Sequence, residues 1–207
     1  MNKNNNVSTI IIATIIIVAV SFLIWGGSKN KTSAPVVDQH GMSVAANISA
    51  ASLDDLVNKS APDFALADKD GKLYSLNELR GKNIILFFNE GLMCYPACWN
   101  QIVALDKDEI FKNTDTVILS VVVDPPEEWQ KAIEQMPELA EATVVFDKDA
   151  AISKRFNMLT TASSMHYGSL PGHTFVLINK EGIIKHIFDD PNMSIHNDQL
   201  VAEISKL

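Results

Sequence analysis

Cys94 and Cys98 are the two cysteines of a 207-residue chain, and they stand four positions apart. A disulfide closing so short a loop removes little entropy from the unfolded chain, so the pair has small value as a brace. Two close thiols are better suited to exchanging electrons or holding a metal. Around them the chain reads Phe87-Phe88-Asn89-Glu90-Gly91-Leu92-Met93-Cys94-Tyr95-Pro96-Ala97-Cys98-Trp99. A buried strand ends, a loop from Gly91 to Ala97 carries the first cysteine, and the second opens a helix. Unpaired N–H groups and the dipole at a helix N-terminus favour an anion. A thiol placed there loses its proton more readily, and the thiolate is the reactive form. One helical turn between the two puts their Cα atoms about 6 Å apart, within the span a disulfide tolerates.

Other side chains are candidates for supporting roles. His173 opens a strand. It is either a satisfied polar edge group or a residue that orients a substrate, stabilises a thiolate or ligates a metal. Trp99 follows the second cysteine and either packs on the sheet or faces a substrate. His166 and Tyr167 belong to the loop Thr160–Leu170, expected to overhang the cysteines from the surface. Glu90 is a candidate proton relay, though a solvent-exposed carboxylate is the plainer expectation. Most methionines read as core filler, Met93 being the one beside a cysteine. His40 and Met42 lie in a polar segment and are not expected to bind a metal.

The elements that must position these residues alternate. Short apolar pieces at Phe64–Leu66 and Leu73–Leu76 flank the turn Asp70-Gly71. Asn83–Phe88 is a continuous apolar run, as in a strand covered on both faces. Cys98–Leu105 is helical, Thr116–Val123 a second buried strand, and Pro125–Met136 a helix with Pro and Glu in its first turn. Thr143–Phe146 reads as a third core strand and Ala150–Phe156 as a short helix. His173–Ile178 and Ile183–Phe188 form a hairpin around Lys180-Glu181-Gly182. Asp198–Leu207 closes as an amphipathic helix. This order is α/β, a central mixed sheet flanked by helices.

Ahead of that domain, assigned to residues 53–207, stands a different composition. Residues 1–6 form a short tail. Val7 to Trp25 is roughly nineteen residues without a charge, about 28 Å as a helix and enough to cross a bilayer core. Trp25 ends it where an indole favours the headgroup region. Residues 26–52 are polar and rich in small residues, as in a tether. The expectation is an uncleaved anchor, with a cleaved signal as the plainer alternative, and a single-pass membrane protein whose globular part lies outside the cytoplasm, where a cycling cysteine pair suits an oxidising compartment. With a net charge of −8 and two arginines, Arg80 and Arg155, the chain lacks the clustered positive charge that nucleic acid needs.

From about Asp54 to Leu207 the chain resembles the thioredoxin-like superfamily, and within it the AhpC/TSA-type redoxins, which are peroxiredoxin-like proteins. The resemblance is carried by Ser60-Ala61-Pro62-Asp63-Phe64, Asp70-Gly71-Lys72 and Leu76-Asn77-Glu78-Leu79-Arg80-Gly81-Lys82. It continues through Glu90-Gly91-Leu92-Met93-Cys94, Cys98-Trp99-Asn100-Gln101, Gly172-His173-Thr174-Phe175-Val176-Leu177 and Lys180-Glu181-Gly182. It implies a thioredoxin-like fold and a thiol-dependent oxidoreductase, with Cys94 and Cys98 catalytic and His173 and Trp99 beside them. Its substrate would be a peroxide or a protein disulfide. An external thiol would be the reductant, with no cofactor. Peroxiredoxins place Thr or Ser three residues before the attacking cysteine and an arginine nearby. Here Gly91 and Tyr95 hold those positions, and His173 stands where the arginine is looked for. Pro171 sits slightly early for the cis-proline of thioredoxins. The three-residue spacing also resembles the Sco-type copper proteins, which implies copper on Cys94, Cys98 and His173, with Val123-Asp124-Pro125 as the matching turn. Soft thiolates with an imidazole suit Cu(I).

Overall fold

Along Asn83–Phe88 (β3) every residue is buried, and alternate side chains enter two separate cores. Ile85 and Phe87 point into one; Ile84, Leu86 and Phe88 point into the other. That partition follows from the two-residue repeat of a strand and requires cover on both faces. The computed structural model describes residues 53–207. The tail, the Val7–Trp25 segment and the tether expected for residues 26–52 lie outside the described residues. Among the described residues no helix is long and apolar enough to cross a membrane.

The first core is roofed by Ala97–Lys107 (α1), Pro126–Gln135 (α3) and Asn197–Ile204 (α5). These contribute Trp99, Ile102 and Leu105, then Trp129 and Ala132, then Leu200 and Ile204. Glu109–Lys112 (α2) adds Phe111. The second core takes Ile152 from Ala151–Arg155 (α4) together with Phe156 and Met158. The remaining strands are Ala65–Asp68 (β1), Leu73–Ser75 (β2), Thr116–Val122 (β4), Val144–Phe146 (β5), Thr174–Ile178 (β6) and Ile184–Asp189 (β7). They form one seven-stranded sheet in the order β2-β1-β5-β4-β3-β6-β7. β3 pairs parallel with β4, and β4 parallel with β5; the other pairs are antiparallel. The expected mixed sheet between helical layers is therefore present.

Departures from the expected elements are local. The Gly91–Ala97 loop contains a 3-10 turn, Gly91–Cys94, and α1 starts at Ala97, one residue before Cys98. The described part of the chain opens with a 3-10 turn, Leu53–Leu56. Among the described residues the cis peptide bond is Tyr95–Pro96, between the cysteines, rather than at Pro171.

Candidate active site

β3 ends at Phe88, and its register with β6 pairs Phe87 with Phe175 and Phe88 with Thr174. His173, one residue before β6, is thereby carried to the edge of the sheet from which the cysteine segment departs. The turn out of β3 is held by side chains. Asn89 Oδ1 accepts from the Gly91 N–H at 3.0 Å, and Asp124 Oδ2, just past β4, accepts from Leu92 N–H at 3.1 Å. Burial pushes the Asp124 carboxyl up from its ordinary value, and the Leu92 N–H works against that shift. Gly91 has φ +57°, and a Cβ there would run into the Asp124 carboxylate, so glycine is required twice over. Trp99 Nε1 donates to the Gly91 carbonyl at 3.0 Å. Trp99 is buried in the first core, so it braces the turn and presents no face to a substrate.

This frame brings Cys94 and Cys98 together as a disulfide with Cα atoms 5.4 Å apart, close to the distance expected from one helical turn. Both are buried, Cys94 at 3% and Cys98 at 0% exposure, deeper than an exposed reactive pair would be. His173 Nδ1 lies 3.5 Å from the Cys98 sulfur. A disulfide sulfur only accepts, so in this state the Nδ1 carries the proton. His173 is fully buried, with its ring edge-on to Phe87 at 4.6 Å between centroids. Burial lowers its pKa to about 4, against the pull of Asp190 and with the help of nearby His196. The Ser194 backbone also favours the charged ring, but Nε2 closes no hydrogen bond of good geometry. His173 is thus a neutral partner of Cys98, not an edge group satisfied elsewhere.

Two further groups were not expected here. Met193 Sδ is 3.7 Å from the Cys94 sulfur. The Asp190 carboxylate shapes that loop, accepting from Asn192 N–H at 2.9 Å, Ser194 N–H at 2.7 Å and the His196 ring at 2.7 Å. Burial alone would raise the Asp190 pKa, but these partners outweigh it and hold it low. Glu90 overturns the expectation of an exposed carboxylate, because its side chain is wholly buried. It accepts from Met165 N–H at 2.6 Å and His166 N–H at 3.0 Å, and pairs with the His166 ring at 2.9 Å. The loop bearing His166 and Tyr167 is thereby pinned beside the cysteine turn. Met93 is exposed. His40 and Met42 lie outside the described residues. Both arginines are engaged elsewhere, Arg80 on the Glu181 carbonyl and Arg155 on the Asp63 carbonyl.

Residues 57–187 match the AhpC/TSA family. The chain belongs to the AhpC/TSA family. Among relatives of this AhpC/TSA protein, Peroxiredoxin Bcp of Escherichia coli is 30% identical over 141 residues, covering 67% of this chain and 88% of that one. Chloroplastic Peroxiredoxin Q of Populus jackii is 29% identical over 142 residues, covering 65% of this chain and 61% of that one. The reduced 2-Cys peroxiredoxin of Plasmodium vivax superposes with a TM-score of 0.61 at 24% identity, over 72% of this chain and 80% of that one. That likeness places the domain in the thioredoxin-like fold. An AhpC/TSA protein with these relatives is a thiol-dependent oxidoreductase. The ligand atoms of Cys94, Cys98 and His173 do converge, within 4.8 Å of one another. The sulfurs, however, are bonded to each other in this state, and the Sco-type copper reading finds no support in the relatives.

Proposed function

We propose that the chain is a peroxiredoxin-like thiol peroxidase in which Cys98 attacks the peroxide and Cys94 resolves the product. The observation that carries this reading is His173 Nδ1 at 3.5 Å from a Cys98 sulfur that is within bonding reach of Cys94. Gly91 and Tyr95, not Thr or Ser, stand three residues before the two cysteines and both arginines are occupied, so His173 is the group available to activate a thiol. In the reduced state the imidazole proton sits on Nε2 and leaves Nδ1 free, so the Cys98 proton passes to Nδ1, and a thiolate 3.5 Å away favours the imidazolium it leaves. The thiolate attacks one peroxide oxygen. The O–O bond breaks, an S–O bond forms, and His173 returns the proton to the departing alkoxide. Cys94 then attacks the sulfenic sulfur. The S–S bond forms, the S–O bond breaks, and the hydroxide leaves as water with the Cys94 proton. An external thiol restores the pair, and the cycle needs no cofactor. We place the domain outside the cytoplasm, tethered through residues 7–25 and 26–52; labelling of reduced Cys94 and Cys98 by an impermeant maleimide in intact cells tests that placement.

The deciding assay is hydroperoxide consumption by the detergent-solubilised chain with a thiol donor, run beside Cys94→Ser and Cys98→Ser. Consumption lost in Cys98→Ser, and stalled after one equivalent in Cys94→Ser, is the expected result. Insulin disulfide reduction without peroxide turnover would instead make the protein a disulfide reductase. A stoichiometric Cu(I) complex lost with His173→Ala and no turnover would make it a copper carrier.

A further inference from the structure

The segment between β7 and α5 places the Met193 thioether 3.7 Å from the Cys94 sulfur. It does so at a conformational cost. Met193 has φ +52°, in the left-handed region that residues other than glycine seldom adopt. Such a backbone persists only where its surroundings over-determine it, and here they do. Asp190 accepts from Asn192 N–H and Ser194 N–H, on either side of Met193, and from the His196 ring. Met193 N–H itself donates to the Asp190 carbonyl at 3.1 Å. Just ahead, Asp189 accepts from Ser163 N–H at 3.1 Å and from the Ser163 and Thr174 hydroxyls.

Both ends of the segment are tied to the cysteine site. At its start, Asp190 N–H donates to the His173 carbonyl at 3.0 Å. At its end, His196 N–H donates to Gln101 Oε1 and the Asn197 amide donates to the Ala104 carbonyl, each at 2.8 Å. Gln101 is fully buried, and it and Ala104 belong to α1, the helix that carries Cys98. Met193 is thus located by His173 and by the helix of one cysteine, and it touches the other. Cys94 ends a 3-10 turn and stands in sequence between exposed Met93 and Tyr95. Once the S–S bond opens, rotation about Cα–Cβ can carry its sulfur away from Cys98 unless a neighbour fills the space.

We infer that Met193 is a positioning residue for the resolving step: its side chain covers the Cys94 sulfur and keeps it beside Cys98 after the disulfide opens. This rests on the peroxidase reading of the pair and adds the group that serves its second half. The chemistry of that half is unchanged. The Cys94 sulfur bonds to the Cys98 sulfenic sulfur, the S–O bond breaks, and hydroxide leaves with the Cys94 proton as water. Met193 neither gains nor loses electrons. A sulfenic acid kept waiting meets a second peroxide, and becomes a sulfinic acid as that peroxide is reduced to an alcohol. A held Cys94 shortens the wait, because the reacting sulfurs start near contact.

The test mixes the reduced full chain with hydroperoxide and follows thiol, sulfenic, sulfinic and disulfide forms by rapid quench and mass spectrometry. The variants are Met193→Leu, Met193→Ala and Met193→Gly. Peroxide attack on Cys98 should keep the unsubstituted protein's rate in all three. Disulfide formation should be at least about tenfold slower in the alanine and glycine variants, with more sulfinic acid per turnover. Leucine keeps the bulk and should keep the rate. Glycine relieves the left-handed backbone, so Met193→Gly should melt above Met193→Ala while resolving no faster. That split separates positioning from loop stability. Full-speed disulfide formation in the alanine and glycine variants, a leucine variant as slow as alanine, or a parallel slowing of peroxide attack would overturn the proposal. So would a glycine variant that regains speed along with stability. Cys94→Ser, run alongside, reads the peroxidase assignment separately, which fails if its Cys98 forms no sulfenic acid. Equilibration with dithiothreitol tests Met193 in either case: a released Cys94 should make the disulfide at least about tenfold easier to reduce in the alanine and glycine variants. An unmoved equilibrium counts against the proposal.

Discussion

His173 and Cys98 are 75 positions apart in sequence, yet the imidazole Nδ1 rests 3.5 Å from the Cys98 sulfur, and both residues are fully buried. On the proposed reading, this imidazole is the group that makes a thiolate of Cys98, both arginines being engaged elsewhere. Its energetic consequences can be measured on each side of the redox cycle.

In the reduced protein, His173→Gln should slow the reaction with hydroperoxide on the order of a hundredfold at neutral pH, the scale of a lost general base. The deficit should narrow as pH rises through the ordinary thiol range near about 8.5, where solvent does the deprotonation. A stopped-flow pH profile of both proteins checks this. A deficit that stays constant up to pH 9.5 would assign His173 a packing role alone.

In the oxidised protein the same residue makes stability pH-dependent. The folded-state pKa of about 4 lies below the unfolded value of 6.5, so between those limits the unfolded chain binds the extra proton. Stability is therefore full above pH 6.5 and falls as the pH drops toward 4, by up to about 3 kcal/mol. Urea titrations at pH 7.5 and 4.5 should show that loss, and His173→Gln should remove most of it. Parallel losses in the two proteins would place the acid sensitivity elsewhere.

Glu90 holds two backbone N–H groups and an imidazole from the opposite loop. Glu90→Ala leaves those donors without their acceptor and is expected to cost about 2–4 kcal/mol. Glu90→Gln keeps one accepting oxygen and should cost less. Hydrogen exchange at the Met165 and His166 amides reads the effect directly, since both should become fast in the alanine variant. Unchanged protection would mean that the loop is held by Asp189 alone.

Gly91→Ala combines a left-handed backbone with a steric conflict against the Asp124 carboxylate. A loss of about 1–3 kcal/mol is expected from the backbone alone. Adding Asp124→Ala should relieve the collision but not the backbone strain, so a double-mutant cycle should show positive coupling between the two sites. Strict additivity would count against their contact.

Much of the fold is written locally. The all-apolar Asn83–Phe88, the run at Thr116–Val122 and the hairpin turn at Lys180-Glu181-Gly182 each announce themselves within a few residues, because strand period and turn chemistry are short-range. The cysteine spacing also keeps the two Cα atoms close, at 5.4 Å, although a 3-10 turn and a cis peptide bond set that distance rather than one helical turn. What only the tertiary structure decided is how those sulfurs are surrounded. The antiparallel register of β3 with β6 carries His173 to Cys98, and a loop 99 positions downstream brings Met193 to Cys94. Glu90 is buried because its partners arrive from a segment 75 positions away. Burial and pairing are properties of neighbours in space, and a charged residue in a sequence carries no mark of which strand will fold over it.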